Sequence, residues 1–172
     1  MSTITASHTG PMELSAPEKL NDFHLLDQFE SGEESIDTYL RKQARISQTK
    51  GHAAVYVSCE KNTRKVLAYY TLSSGSIKRE EMPKARQRNS PANHSVTLLG
   101  RMGVCKSAQG NGFATALLKD AIIRSIHAAK IIGSSAMIVH PLNDRLAKFY
   151  IEKAGFIPCP MLTPVTLMLP LV

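Results

Sequence analysis

The stretch AQGNGFATALLKDAI, residues 108–122, decides how the rest of this sequence is interpreted. Two glycines, Gly110 and Gly112, stand on either side of an asparagine directly before a run with apolar residues at i, i+3, i+4, i+7 and i+8. That spacing predicts an amphipathic helix that begins near Gly112. The first N–H groups of a helix have no partner within it, so glycines beside them would let an anion approach. The spacing alone leaves open a tight strand-to-helix turn with nothing bound.

Strands are predicted on both sides of this helix. Runs rich in β-branched and aromatic residues mark them, and they lie at 53–60, 65–77, 95–104 and 135–140. A turn-like tetrapeptide, KNTR, joins the first two as an antiparallel hairpin. The polar segment 78–94 predicts a loop with at most one helical turn. The closing segments FIPC and PVTLMLPLV predict one or two more strands, whose prolines favour sheet edges.

Two further helices are predicted. One follows the loop at FESGEES, with Ser35 as its N-cap. The other spans 143–155, with Asn143 as a good N-cap and Gly155 as a good stop. For the long central helix, Gly133 is the predicted C-cap. The order of elements predicts an α+β or mixed α/β fold built on one sheet.

Bulk composition narrows the class of protein. With 172 residues, of which 43% are hydrophobic, the chain is long enough for one domain with a true core. We expect residues 1–18 to form a flexible lead and residues 19–172 a single domain. No apolar run approaches the roughly 18 residues of a membrane span, and no secretory signal is evident. Three scattered cysteines predict reduced thiols, no metal site and a cytoplasmic location.

The chain has a net charge of +7, and its charged residues are distributed unevenly along the sequence. Residues 1–40 carry one basic side chain against eight acids, whereas residues 41–88 carry twelve basic side chains against three. Such a basic stretch is either a solvated face or a surface that meets a polyanion such as nucleic acid. Charge alone does not decide between these two interpretations.

The motif QGNGFA (109–114) resembles the Q/R-x-x-G-x-G/A signature of the GNAT superfamily of acyl-coenzyme A N-acyltransferases. The long helix, the strand ending in IVHPLN and the stretch AKFYIEKAGF continue the resemblance over roughly residues 50–170. The resemblance implies a GNAT fold, with a central, mostly antiparallel twisted sheet splayed between two strands and flanked by helices. It also implies acetyl-coenzyme A as the cosubstrate.

Longer stretches, LLGRMGV, IIGSSAMIVHPLNDRLAKFY and GFIPCPM, resemble the GNAT toxins of bacterial toxin–antitoxin pairs, the TacT/AtaT type. The opening segment resembles theirs too, although Ser31 stands where the family often has a cysteine. This resemblance implies acetylation of the free α-amino group of aminoacyl-tRNA, which blocks translation. It implies a ribbon-helix-helix antitoxin as a partner, and a homodimer.

The resemblance assigns a diphosphate cradle to the amides of residues 110–115, begun by Gln109. It places residues 102–104 beside the pantetheine arm, with an N–H near Val104 polarising the thioester carbonyl. Asn143 is assigned a contact with the same arm in addition to its cap. The complete set assigned to coenzyme A is Met102, Gly103, Val104, Gln109, Gly110, Asn111, Gly112, Phe113, Ala114, Thr115 and Asn143.

Tyr150 is the predicted catalytic residue, because the resemblance places its hydroxyl close to the thioester sulfur as a proton donor. Its neighbour Phe149 is expected to pack in the core. His140 is expected to be structural more often than to line the site. No general base is evident, but a free α-amine titrates near 7.7–8.0 and an ester on the same carbon lowers that value. Such an amine is a better acceptor than a lysine side chain near 10.4.

Basic side chains are the predicted contacts with RNA, by shape and backbone recognition because few aromatic residues lie among them. Arg101, after the strand glycine, is expected to face the acceptor cleft. The set is Arg41, Lys42, Arg45, Lys78, Arg79, Lys84, Arg86, Arg88 and Arg101.

Two rival functions remain open at this point. The first is a GNAT enzyme that acts on a small amine or a protein amine, against which the basic 41–88 segment argues. The second is a non-catalytic nucleic-acid-binding module, against which the intact QGNGFA motif and Tyr150 argue.

Overall fold

The computed structural model describes residues 12–172, so the predicted lead lies in part outside the described residues. Leu14, within the described part, is buried and bridges Glu60. The Ser15 N–H donates to the Cys59 carbonyl (2.8 Å), and the Ser15 hydroxyl accepts from the Cys59 N–H (2.9 Å). Residues 14 and 15 are therefore held against the first long strand, and the division at residue 18 stays a prediction.

Seven strands and four α-helices make up the described chain. The strands are β1 Glu18–Lys19, β2 Ala54–Cys59, β3 Val66–Lys78, β4 Asn93–Val104, β5 Ala136–Val139, β6 Ile157–Pro158 and β7 Leu167–Pro170. The helices are α1 Glu34–Thr38, α2 Ala44–Thr49, α3 Phe113–Ile132 and α4 Asp144–Ala154. The sheet order is β1-β2-β3-β4-β5-β7-β6, which confirms the predicted mixed α+β fold.

The chain divides into two compact units, and β3, β4 and α3 each contribute to both. The first unit runs through Leu72 and includes Arg101–Asp120; the second consists of Ser73–Gly100 and Ala121–Val172. In the first, the predicted hairpin is confirmed, with β2 and β3 antiparallel from Ala54↔Leu72 to Cys59↔Val66.

The α1–α2 segment of the first unit is joined by a π-helical turn, Tyr39–Gln43. Its buried residues Ile36, Leu40 and Ala44 repeat at i, i+4 and i+8, which is why this stretch folds as a helix with one apolar face. The predicted Ser35 cap is wrong, because α1 begins at Glu34, one residue earlier. The Ser31 hydroxyl instead accepts from the Glu33 N–H (3.2 Å).

Gly103 of β4 lies directly against α1. A Cβ atom at Gly103 would lie 2.5 Å from Ile36 Cγ2, closer than two carbons can approach. The Tyr69 hydroxyl donates to the Ile36 carbonyl (2.6 Å), and the Tyr69 ring packs edge-on against Phe29 at 5.4 Å. Close backbone approach and a buried phenol therefore fix α1 against β3 and β4.

In the second unit, the strands β4 and β5 pair in parallel. Residues 96–99 of β4 pair with residues 136–139 of β5, ending at Leu99↔Val139. The strand β4 continues to Val104, whereas β5 ends at Val139. The last part of β4 therefore has no β5 residue beside it, as expected for a sheet splayed between two strands.

Helix ends in the second unit match the sequence predictions. The Asn143 side chain accepts from the Leu146 N–H (2.9 Å) at the start of α4. Gly155 ends that helix with φ = +76°, and Gly133 follows α3 with φ = +83°. No helix within residues 12–172 is long and apolar enough to cross a membrane.

Candidate active site

Six consecutive backbone N–H groups, those of residues 110–115, point out of the start of α3 without an acceptor in the described chain. The first N–H of this region to be paired is that of Ala116, which donates to the Gly112 carbonyl (3.2 Å). The partial positive charge of the α3 N-terminus falls on the same groups. Unpaired donors at a helix start form an anion-binding site.

Gly110 and Gly112 give this loop its shape. Their φ angles are +82° and +79°, a region that side chains with a Cβ adopt only under strain. A Cβ at either position would meet no atom within 4 Å. Open space in front of the donors is therefore available to a ligand.

Two amide side chains hold the loop from within. The Gln109 Nε2 donates to the carbonyls of Ser31 (2.7 Å) and Val104 (2.8 Å). The Asn111 Nδ2 donates to the carbonyls of Ala108 (3.0 Å) and Gln109 (3.2 Å). The Gln109 side chain thus ties the loop to the end of β4 and to the segment before α1. This is a positioning role that its place in the motif does not reveal.

The open edge of β4 carries further unpaired donors. The Cys105 N–H donates to the Leu67 carbonyl of β3 (2.7 Å). Backbone groups of successive strand residues point to opposite edges. The N–H groups of Met102 and Val104 therefore point away from β3, and neither has an acceptor among residues 12–172.

The second unit holds Tyr150, which is only 6% exposed. Its ring lies between those of Phe149, at a centroid distance of 5.3 Å, and Phe156, at 5.6 Å. Burial raises the pKa of the phenol to about 12. The hydroxyl has no hydrogen-bond partner within residues 12–172, and its oxygen is not sealed from solvent. Tyr150 is thus a protonated phenol with a free donor.

Asn143 and His140 stand between β5 and α4 in the second unit. The Asn143 Oδ1 is used by the cap, so its Nδ2 is left without a partner among the described residues. His140 Nδ1 lies 3.0 Å from the Thr166 hydroxyl, an interaction that sequence reasoning missed. The contact arises because β5 and β7 are antiparallel, and a single sequence does not show that register.

The basic residues of the first unit are partly committed to the fold. Arg41 Nη1 donates to the Phe29 carbonyl (2.6 Å), and Arg45 Nη2 donates to the carbonyls of His24 (2.5 Å) and Asn21 (3.3 Å). These two side chains hold the segment that precedes α1.

The guanidinium of Arg101 is fixed by an aromatic ring. Its central carbon lies 4.1 Å from the centroid of the Tyr39 ring, a cation–π contact. The Arg101 side chain itself stays exposed. Lys42 is also exposed and belongs to the same unit.

The basic segment after β3 belongs to the second unit and begins with two 3₁₀ turns, Arg79–Glu81 and Lys84–Arg86. Arg79 donates to the Ser90 carbonyl (2.9 Å) and so braces the loop. Lys78, the last residue of β3, is exposed, and so are Lys84, Arg86 and Arg88 of this segment. No group of three or more His, Cys, Asp or Glu side chains in the described chain is arranged to hold a metal ion.

Comparison with known proteins identifies relatives of this chain. No protein-family model matches the chain. The sequence is 39% identical over 138 residues to the tRNA-acetylating toxin of Mycobacterium tuberculosis, covering 80% of this chain and 82% of that protein. It is 26% identical over 145 residues to the probable toxin TacT of Sinorhizobium fredii, covering 79% of each.

Solved structures agree with the sequence comparison. A tyrosine-to-phenylalanine variant of KacT matches with a TM-score of 0.85 and 27% identity, covering 92% of this chain and 95% of that chain. AtaT complexed with acetyl-methionyl-tRNAfMet matches with a TM-score of 0.83 and 31% identity, with the same coverage.

The splayed sheet and the unpaired amides at the α3 N-terminus define a GNAT-type acetyltransferase fold. Within that class, the 39% identity to the tRNA-acetylating toxin, over 80% of this chain, decides the family. The chain belongs to the family of tRNA-acetylating toxins, with TacT, KacT and AtaT among its relatives.

Matched glycine substitutions test the loop. Gly112→Ala and Gly133→Ala each place a Cβ in open space at nearly the same φ, +79° and +83°. Each is expected to lower the free energy of unfolding by about 1–2 kcal/mol in urea titrations. Only Gly112→Ala puts its methyl group in front of the free donors, so it should weaken acetyl-coenzyme A binding in calorimetry by about tenfold or more. Equal affinity of the two variants would contradict the assignment of the loop.

Proposed function

We propose that this protein transfers the acetyl group of acetyl-coenzyme A to the free α-amino group of aminoacyl-tRNA and thereby blocks translation. The observation that carries the proposal is the row of six unpaired N–H groups at residues 110–115. The relative from Mycobacterium tuberculosis is named for acetylating tRNA, and AtaT has been solved with acetyl-methionyl-tRNAfMet. Both support the same acceptor for this chain.

The loop fits the diphosphate of coenzyme A. Residues 110–115 would donate to its oxygens, and the positive end of α3 adds to the attraction. Gln109 and Asn111 use their side-chain amides within the protein, so they hold the cradle in shape. AtaT has also been solved with acetyl-coenzyme A and the C-terminus of its antitoxin, which supports this cosubstrate.

The open edge of β4 suits the pantetheine arm. Met102 and Val104 present backbone N–H groups there, and Gly103 keeps this part of the strand close to α1. Acetyl-coenzyme A supplies an acetyl group activated as a thioester. The Val104 N–H would donate to the thioester oxygen as negative charge develops on it.

Tyr150 would deliver a proton to the coenzyme A sulfur as the carbon–sulfur bond breaks. Burial raises its pKa to about 12, so the phenol holds its proton throughout the physiological range. A phenol with so high a pKa does not ionise on its own. It donates a hydrogen bond to the developing thiolate and passes the proton only as that charge forms.

The acceptor end of a charged tRNA would lie on basic side chains. In the second unit, Lys78, Lys84, Arg86 and Arg88 are exposed, and in the first unit Arg101 is held over the Tyr39 ring. Contacts of this kind are made to phosphates and give affinity without sequence reading.

A proteinaceous antitoxin is the expected regulator. AtaT has been solved with the C-terminus of the antitoxin AtaR, and KacTA with DNA. We propose a ribbon-helix-helix antitoxin as the partner of this chain, and a cytoplasmic location. The three cysteines of the chain are free and buried, which suits a reducing compartment. The homodimer stays a prediction.

Replacing one hydroxyl tests the reaction. Tyr150→Phe should lower transfer of labelled acetyl to charged tRNA by about 10²–10⁴-fold, the usual contribution of a general acid, with coenzyme affinity unchanged. Tyr56→Phe, which removes a hydroxyl from β2, is the control and should keep wild-type rates. Activity should rise as the α-amine deprotonates and should not fall again below about pH 10, because the Tyr150 pKa lies near 12. A fully active Tyr150→Phe variant would contradict the assigned role.

Removal of charge from the second-unit loop tests the RNA surface. A triple variant with Lys84, Arg86 and Arg88 changed to glutamine should bind tRNA at least about tenfold more weakly. Its affinity should also depend less steeply on salt, by about two to three units of log–log slope. The matched control changes Lys50, Arg64 and Lys65 to glutamine near the β2–β3 hairpin. If both triples weaken binding equally, the effect is one of net charge and the loop is not the RNA surface.

A further inference from the structure

The Thr166 hydroxyl fixes the proton position on His140. Thr166 is 2% exposed, so water does not supply its hydrogen bonds. Its Oγ1 lies 2.9 Å from the Pro164 carbonyl and 3.0 Å from His140 Nδ1. A carbonyl only accepts, and a hydroxyl has one hydrogen. The Thr166 hydroxyl therefore donates to Pro164 and accepts from His140, which requires the proton on Nδ1.

This arrangement leaves the Nε2 of a neutral His140 as an acceptor with no partner among residues 12–172. The tautomer of a histidine is set by the bond that its other nitrogen makes. His140 itself is exposed, in contrast to the buried Thr166 that orients it. The imidazole is thus anchored on one side and has its lone pair open to an incoming group on the other.

His140 lies directly after the C-terminal end of β5. It directly follows Val139, the last residue of β5 to pair with β4. His140 and Thr166 come next to the Val139↔Leu167 pair of the β5–β7 ladder. The nearest inward neighbours on the same faces, Ile138 and Met168, belong to one core cluster.

The same core cluster includes a residue before and a residue within the basic segment after β3, here called the basic loop (residues 79–88). These are Ile77 and Met82, which flank the first 3₁₀ turn of the loop. His140 therefore stands at the open end of β5, on the sheet face that the basic loop covers. An acceptor amine brought in by RNA bound to that loop would arrive on this face.

We propose that His140 is the general base of the reaction; this inference rests on the proposed acetylation of aminoacyl-tRNA. The amine nitrogen forms a bond to the acetyl carbon as the carbon–sulfur bond breaks. The proton lost by that nitrogen passes to His140 Nε2, and the sulfur takes its proton from Tyr150. The imidazolium then releases its proton to solvent and the Tyr150 phenolate takes one up from solvent, so that both side chains are restored, one acetyl group moves and no oxidation occurs. The strands β4 and β5 contain no aspartate or glutamate for this task.

The tautomer is tested directly by long-range ¹H–¹⁵N NMR of histidine side chains, with the His140 signals assigned by their loss in His140→Asn. The wild type should show a protonated Nδ1 and an unprotonated Nε2 in the neutral ring. Thr166→Val should shift the proton to Nε2, and Thr166→Ser should retain the wild-type pattern. A wild type with the proton on Nε2 would overturn the inference, whatever the enzyme acetylates.

Kinetics test the role itself. His140→Asn keeps a side-chain N–H for Thr166 but has no atom in place of Nε2. It should lower kcat by about 10²-fold, within the usual range for a lost base, while acetyl-coenzyme A affinity and the KM for charged tRNA change less than threefold. Imidazole in the buffer should partly restore His140→Ala. His127→Gln, an exposed change on α3, is the control and should be fully active.

Each outcome separates this inference from the proposed function. A wild type that acetylates charged tRNA, together with an equally active His140→Asn, overturns only the role of His140. A wild type that leaves charged tRNA unmodified overturns the proposed function, and the role of His140 with it. Loss of folding in His140→Ala would appear as a changed thermal transition. In that case the His140→Asn kinetics and the tautomer measurement decide.

Discussion

The rest of the site is built on one feature: the N–H groups at the start of α3 have no acceptor among residues 12–172. A helix start always leaves such donors, and most proteins cover them with a capping side chain or with water. In this protein Gly110 and Gly112 turn the backbone with positive φ, and a Cβ at either position would meet no atom within 4 Å. Asn111, which stands where a cap is expected, uses its amide nitrogen on carbonyls behind the loop. These donors are the groups that we propose bind the diphosphate of coenzyme A.

The surrounding contacts of the first unit keep that loop rigid. Gln109 connects it to β4 and to Ser31. The segment around Ser31 is fixed in turn, because Asp37 accepts from both the Ser31 N–H (2.9 Å) and its hydroxyl (2.6 Å). Asp37 is a buried carboxylate at 5% exposure, so these bonds replace its lost hydration. A chain of hydrogen bonds thus runs from α1 to the anion loop.

Much of the fold was predictable because its signals are local. The apolar spacing after Gly112 marks α3, and the pair Asn143 and Gly155 marks both ends of α4. Such features depend on residues a few positions apart, where helix geometry leaves few alternatives. The Ser35 cap was wrong because the N-cap position falls at Glu33, two residues earlier, where no side chain caps the helix.

The parts of the site that were missed depend on distant partners. Thr166 meets His140 through the β5–β7 register, and Tyr39 lies under Arg101, a residue 62 positions further along the chain. Arg41 and Arg45 donate to backbone carbonyls 12 to 24 positions away, and the sequence does not show these contacts. Their charge was the only signal available from the sequence, and it indicated RNA binding. The type of a residue predicts the chemistry that it can perform. The contacts in the folded chain decide which arginine or histidine side chains are left to perform it.

Backbone amide NMR shows directly whether residues 110–115 bind the diphosphate of coenzyme A. Titration of the ¹⁵N-labelled protein with coenzyme A should shift the amide protons of residues 110–115 downfield and slow their exchange with solvent. New hydrogen bonds to diphosphate oxygens produce both changes. Adenosine without phosphates should leave the same signals unchanged. Coenzyme A that binds with measurable affinity while these six amides keep their free positions and exchange rates would contradict the account.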